Sequence, residues 1–96
     1  EASYYNGQLD GTAKHWDENG ILLSSVDYVN GKIHGKWIQY YKDGKVLQIT
    51  EYFHGHKNGL QRRYHQNGIV SSEVEYNMDE QVSEIIRWDS DGRLIY

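Results

Sequence analysis

The chain has 96 residues, of which 25% are charged and 38% hydrophobic, and a net charge of −4, which suits one small domain with a modest core. The acidic balance argues against nucleic acid or an anionic membrane surface as the main partner, and the sequence has no apolar run of roughly 18–20 residues to span a membrane. The absence of cysteine excludes disulfides, thiolate zinc sites and a cysteine nucleophile.

The first residue is Glu1 rather than Met. We therefore expect a processed or excised chain whose targeting segment is out of view. Composition leaves the compartment and the oligomeric state open.

Tyr4, Tyr28, Tyr52 and Tyr76 stand 24 residues apart. The ten glycines fall into three columns on that spacing: Gly7, Gly31 and Gly55; Gly11, Gly35 and Gly59; Gly20, Gly44, Gly68 and Gly92. Trp16, Tyr40, Tyr64 and Trp88 form a second ring column, and Leu22, Val46, Val70 and Leu94 an aliphatic one. Four gapless copies, approximately 4–27, 28–51, 52–75 and 76–96, fill the chain as a single domain.

Each copy reads as strand, turn, strand, turn. In the first, Asn19-Gly20 is the strongest hairpin signal, because Asn-Gly accepts the positive φ of a tight primed turn. Asn6-Gly7 marks a second turn, expected to be looser because Gly11 follows. The second copy repeats this with Asn30-Gly31 and Asp43-Gly44. Its strand from Val46 alternates, with Val46, Thr50 and Tyr52 expected on one face and Leu47 and Ile49 on the other. The third copy carries His54-Gly55 and Asn67-Gly68. Here Val70, Val74 and Tyr76 are expected to point one way, and Glu73 and Glu75 the other. In the fourth, Asp79 and Ser83 replace two glycines, as suits an end cap. Val82, Ile85 and Ile86 also fit a brief helix over 79–87, but Trp88 and Asp91-Gly92 return to register and favour strand.

The expected fold is all-β: about eight short strands in an elongated, single-layer antiparallel meander of four hairpin repeats. A lone hairpin is marginal in water, whereas stacked hairpins share one stripe of rings. Glycine also leaves flat backbone on which a neighbouring ring can lie.

The stretch Tyr28-x-Asn30-Gly31-Lys32-x-x-Gly35-x-Trp37-x-x-Tyr40-Tyr41-x-Asp43-Gly44-Lys45 resembles one unit of a MORN repeat. It is most similar to the bacterial variant whose proteins are often labelled antitoxin components of the YwqK type. The second copy fits best; Ala13 and Gln61 stand where the first and third would carry Trp. The resemblance implies an array of antiparallel hairpins and a binding or scaffolding role with a protein partner, without catalysis or cofactor. It also implies a bacterial source, cytoplasmic or envelope-associated. Relatives of the repeat contact membrane lipid, but no column here is consistently basic. An envelope-associated structural repeat touching lipid or glycan through its rings is the alternative function.

A residue type repeated in every copy points to packing, so the two ring columns are expected to be structural. Residues that break the columns are the candidate partner-binding set: Trp37, Tyr41, Leu47 and Ile49. We expect them to share one face, opposite Tyr52, unless the array curls and covers that face itself. His15, His34, His54, His56 and His65 lie in five different columns and form no repeated metal site. His54 and His56 flank a turn and are within reach of His34 or His65 on adjacent strands. Lys57, Arg62 and Arg63 read as a solvated face, and Asp79, Glu80 and Glu84 as cap solubility. No phosphate loop, nucleophile elbow or zinc-hydrolase motif is present.

Overall fold

The computed structural model describes the backbone at residues 3–5 and 7–95 and the side chains from Asp10 to Ile95. The expectations placed on Tyr4 and Asn6 therefore lie outside the described residues. The strands are β1 (Ser3–Tyr5), β2 (Gln8–Trp16), β3 (Leu22–Val29), β4 (Lys32–Tyr40), β5 (Val46–Phe53), β6 (His56–Tyr64), β7 (Val70–Asn77), β8 (Glu80–Gln81), β9 (Ile86–Trp88) and β10 (Leu94–Ile95). They form one antiparallel meander in sequence order, with β8 and β9 both paired to β7. The principal extents are 48 × 35 × 13 Å, those of an elongated single layer. No helix occurs among the described residues; in 79–87 the short strands at Glu80–Gln81 and from Ile86 are separated by an irregular stretch at 82–85.

Two kinds of turn join the strands, and their roles are the reverse of those expected. Asn30-Gly31 and His54-Gly55 are the tight two-residue turns, closed by Val29↔Lys32 and Phe53↔His56. Both residues of each turn have positive φ (53° and 80°; 47° and 88°), as a primed turn requires. Met78-Asp79 adopts the same conformation at 48° and 72° without a glycine. Asn19-Gly20, by contrast, ends a longer turn. The Gly20 N–H donates to Asp17 O at 3.0 Å and the Asp17 N–H to Ile21 O at 2.9 Å. Only Gly20 of that turn has positive φ. An Asp at the first position favours this geometry, because its carboxylate accepts from Asn19 N and Ile21 N.

Directly paired residues share a face of the sheet. One row crosses it as Ala13, Val26, Trp37, Thr50, Gln61 and Val74, and on the same face Tyr28, Tyr52 and Tyr76 stand opposite Gly11, Gly35 and Gly59. An added Cβ at Gly35 or Gly59 would meet the Asp27 or Glu51 side chain, and both glycines have positive φ, which accounts for that glycine column. Of the residues buried among those described (Ala13, Val26, Val74, Ser25 and Thr50), all but Ser25 lie in this row. The small core thus sits on the tyrosine face. Among the described residues no large side chain is fully buried, because a single layer cannot enclose a ring from both sides.

Bulges overturn the simple alternation expected for β5 and β7. The register passes from Gln39↔Gln48 to Tyr40↔Val46, leaving Leu47 as an extra residue. Val46 therefore shares a face with Tyr40 and Ile49, not with Thr50 and Tyr52. The equivalent shift at Ser71 puts Val70 with Tyr64, on the face opposite Val74 and Tyr76. Glu73 and Glu75 do lie opposite Val74, as expected. A one-residue insertion reverses facing for everything beyond it.

Candidate binding face

The face opposite the tyrosines carries the second ring column. Trp16↔Leu22, Tyr40↔Val46, Tyr64↔Val70 and Trp88↔Leu94 are direct cross-strand pairs, so each ring lies beside an aliphatic partner. Trp16 is half exposed. Two grooves open here. One, of about 380 Å³, is lined by Arg62, Ile69, Val70, Glu73, Trp88 and Gly92. The other, of about 450 Å³, includes Lys45, Val46, Ile49, Tyr64, Asn67 and Gly68. Five lining positions of the first correspond to five of the second shifted by one copy. Arg62 donates to Glu73 through Nε at 2.7 Å, and its Nη2 lies 2.6 Å from the same carboxylate oxygen. The hydrogen bond to Glu73, then that to Tyr64, pushes the guanidinium above its ordinary value.

The tyrosine face makes side-chain contacts of its own, but Trp37 Nε1 on it is buried without a hydrogen-bond partner. Trp37 and Tyr52 have ring centroids 6.1 Å apart. The buried Thr50 hydroxyl accepts from Gln61 Nε2 at 3.1 Å and from Gln48 Nε2 at 3.4 Å, while Arg63 Nη1 donates to Gln48 Oε1 at 3.2 Å. Lys57 Nζ stands 4.9 Å over the Tyr76 ring. Burial, then the charges of Asp79 and Tyr76, raises the Tyr52 phenol above its ordinary value.

The four candidate residues do not form the single face expected of them. Trp37 pairs with Thr50 and lies on the Tyr52 side, whereas Ile49 pairs with Ile38 on the other. Leu47 is the bulge residue. Tyr41 lies beyond the end of β4 and turns its hydroxyl to the backbone of the next copy, donating to Tyr64 O at 2.6 Å. Only Ile49 lines a groove. For Leu47 the reason is the bulge, and for Trp37 it is the cross-strand register that sets it against Thr50; neither can be seen in a pattern of apolar residues alone. Of the histidines, His34 and His54 do meet, with ring centroids 4.7 Å apart and Phe53 against both. Among the described residues no three His, Asp or Glu side chains gather as metal ligands.

The family model described as MORN repeat variant matches at residues 9–30, 33–54 and 57–78, more than half of the chain. The chain belongs to the MORN repeat variant family. No curated protein and no solved structure matches it. The matched MORN units keep the 24-residue interval but number three, and they begin in β2, β4 and β6. The four-copy division at 4–27, 28–51, 52–75 and 76–96 counts the same period from the tyrosine column instead.

Contacts between successive MORN units explain positions that sequence reasoning left without a role. At the long-turn edge, His65 Nε2 donates to Trp88 O at 2.8 Å, as Tyr41 Oη does to Tyr64 O one unit earlier. Asn67 Nδ2 reaches Ser90 O at 2.8 Å, and Gln66 Nε2 donates to Asp43 Oδ2. At the tight-turn edge, His54 N donates to His34 Nδ1 at 3.1 Å and Met78 N to Asn58 Oδ1 at 3.1 Å. Gly55 N reaches Ile33 O, and Asp79 N reaches Lys57 O, both at 2.7 Å. Asp79 also accepts from Lys57 N at 2.8 Å and pairs with His56 Nδ1 at 2.7 Å. The acid column Asp27, Glu51 was missed. Their carboxylates accept from Lys36 N and Leu60 N beside the bulged glycines Gly35 and Gly59. The signal was present in the sequence, as an acid immediately before each column tyrosine from Tyr28 onward.

Proposed function

We propose that this MORN module is a non-catalytic binding scaffold, and that its ligand lies across the grooved face bearing Tyr40, Tyr64 and Trp88. One observation carries this reading: the two grooves repeat with the 24-residue unit. Repeated, shallow and open sites suit an extended ligand that crosses several units. On the other face Gln48, Thr50, Gln61 and Arg63 bond to one another.

The resemblance to antitoxin-type proteins supports a protein partner, and a toxin masked by the chain is its most specific form. It also supports a bacterial source. The spacing of the half-buried rings Tyr40, Tyr64 and Trp88 supports the second reading, contact with glycan.

Ligand capture by the native chain is compared with that by two variants. Ile49→Asp places a charge in a groove; Gln39→Lys changes the tyrosine face. Loss with Ile49→Asp and retention with Gln39→Lys, both folded by circular dichroism, is the expected result. The opposite pattern would move the site to the tyrosine face.

A further inference from the structure

The grooved face has a fixed pitch, and that pitch identifies a class of ligand. Each MORN unit adds two strands, so rings in successive units recur at roughly 9.5 Å, close to the two-sugar repeat of about 10 Å in an extended β-1,4-linked glycan. Tyr40, Tyr64 and Trp88 lie on one face at this interval, and Trp16 continues the row towards the N-terminus.

The chemistry agrees. A pyranose presents an apolar C–H face that can lie on an aromatic ring, with hydroxyls around its rim. The grooves pair a ring with Val70 or with Val46 and Ile49, and place Arg62, Glu73 and Asn67 beside them. Charge matches too. Lys36 faces Glu51 and Arg62 faces Glu73 across paired strands, so these charges cancel locally. Lys45 is the remaining charged residue lining the two grooves among the described residues. Such a face fits a neutral polymer better than a polyanion. Sheet twist turns each ring relative to the last, which suits a single soluble chain and not a flat crystalline surface.

We infer that the Tyr40–Tyr64–Trp88 row is a platform for a neutral β-1,4-linked glycan, one disaccharide per MORN unit. The inference rests on the grooved-face reading above.

The test is calorimetric titration, with tryptophan fluorescence as a second readout. The probes are soluble β-1,4 hexasaccharides of glucose and of N-acetylglucosamine, their disaccharides, and an α-1,4 glucose hexasaccharide. At least one β-1,4 hexasaccharide is expected to bind roughly tenfold or more tighter than its disaccharide, because successive units engage one chain. The α-1,4 chain, with a different pitch, is expected not to bind. Trp88→Ala and Tyr64→Ala should each remove most of the binding, Tyr64→Phe should retain it, and Tyr28→Phe on the other face should change nothing. Circular dichroism checks folding, and Tyr64→Phe keeps the test valid if an alanine variant unfolds.

Absence of β-1,4 binding, equal binding of the α-1,4 chain, or binding untouched in a folded Trp88→Ala variant would overturn the inference. If the sugars fail but Ile49→Asp still abolishes capture of a protein partner, the glycan assignment falls and the grooved-face reading stands. If Ile49→Asp is also without effect, both fall.

Discussion

Gly59 shows how one position can be fixed twice. Its φ is +113°, a region that side chains rarely adopt, and an added Cβ would come within van der Waals overlap of the Glu51 carboxylate that caps the Leu60 N–H. Gly44 has φ +91° but open space around it. Gly59→Ala is therefore expected to cost roughly 1–3 kcal/mol and more than Gly44→Ala, as read from urea midpoints at constant slope. Asp79 gives a second prediction. The hydrogen bond to His56, then that to the Lys57 N–H, holds its carboxyl below the ordinary 3.8. The folded state thus favours the ionised form. Its contribution is complete above that ordinary value and is lost as pH falls through the lower, folded value. Amide protection factors at Met78–Glu80, taken relative to the intrinsic exchange rate at each pH, should fall on acidification through that range, and Asp79→Asn should abolish the dependence.

The long-turn edge uses one column of positions for two purposes. Where the long turn begins with Asp17 or Asp89, the carboxylate accepts two backbone N–H groups of its own turn. Where it begins with Tyr41 or His65, the longer side chain reaches the next unit and donates to a carbonyl. The first solution closes a turn; the second joins adjacent units. Tyr41→Phe keeps the ring and removes only the donor, so a loss of about 0.5–1.5 kcal/mol is expected. Urea unfolding measures it, and an unchanged midpoint would mean that the contact adds nothing. The sequence showed that position 41 departs from its column, but the departure was read as a partner site. A tyrosine at a turn has no visible target until the neighbouring unit is placed beside it.

For the whole molecule, the period matters more than any single contact. Each unit rests on its neighbours, so stability is expected to approximate a sum of unit and junction terms. Excising residues 52–75 removes one full period. Three copies then remain with every facing preserved, and a folded, less stable chain is expected by circular dichroism and thermal melting. An excision longer or shorter by one residue reverses the facing downstream of the junction and should abolish cooperative melting. Equal behaviour of the two deletions would contradict a period-locked array.

The sequence by itself determined the repeat, the all-β meander and the positions of both ring columns, because turn glycines and strand rings are local signals that recur at a fixed interval. It also favoured strand over helix for 79–87, since Trp88 and Asp91-Gly92 keep their columns. Only the tertiary structure decided which residues share a face. Leu47 and Ser71 are bulges, so Val46 and Val70 join Tyr40 and Tyr64, and the register Trp37↔Thr50 puts Trp37 with Tyr52. Alternation is counted along one strand, but a bulge is defined by the register between two. Facing in a sheet is therefore a property of pairs, and a single chain read from end to end does not contain it in local form.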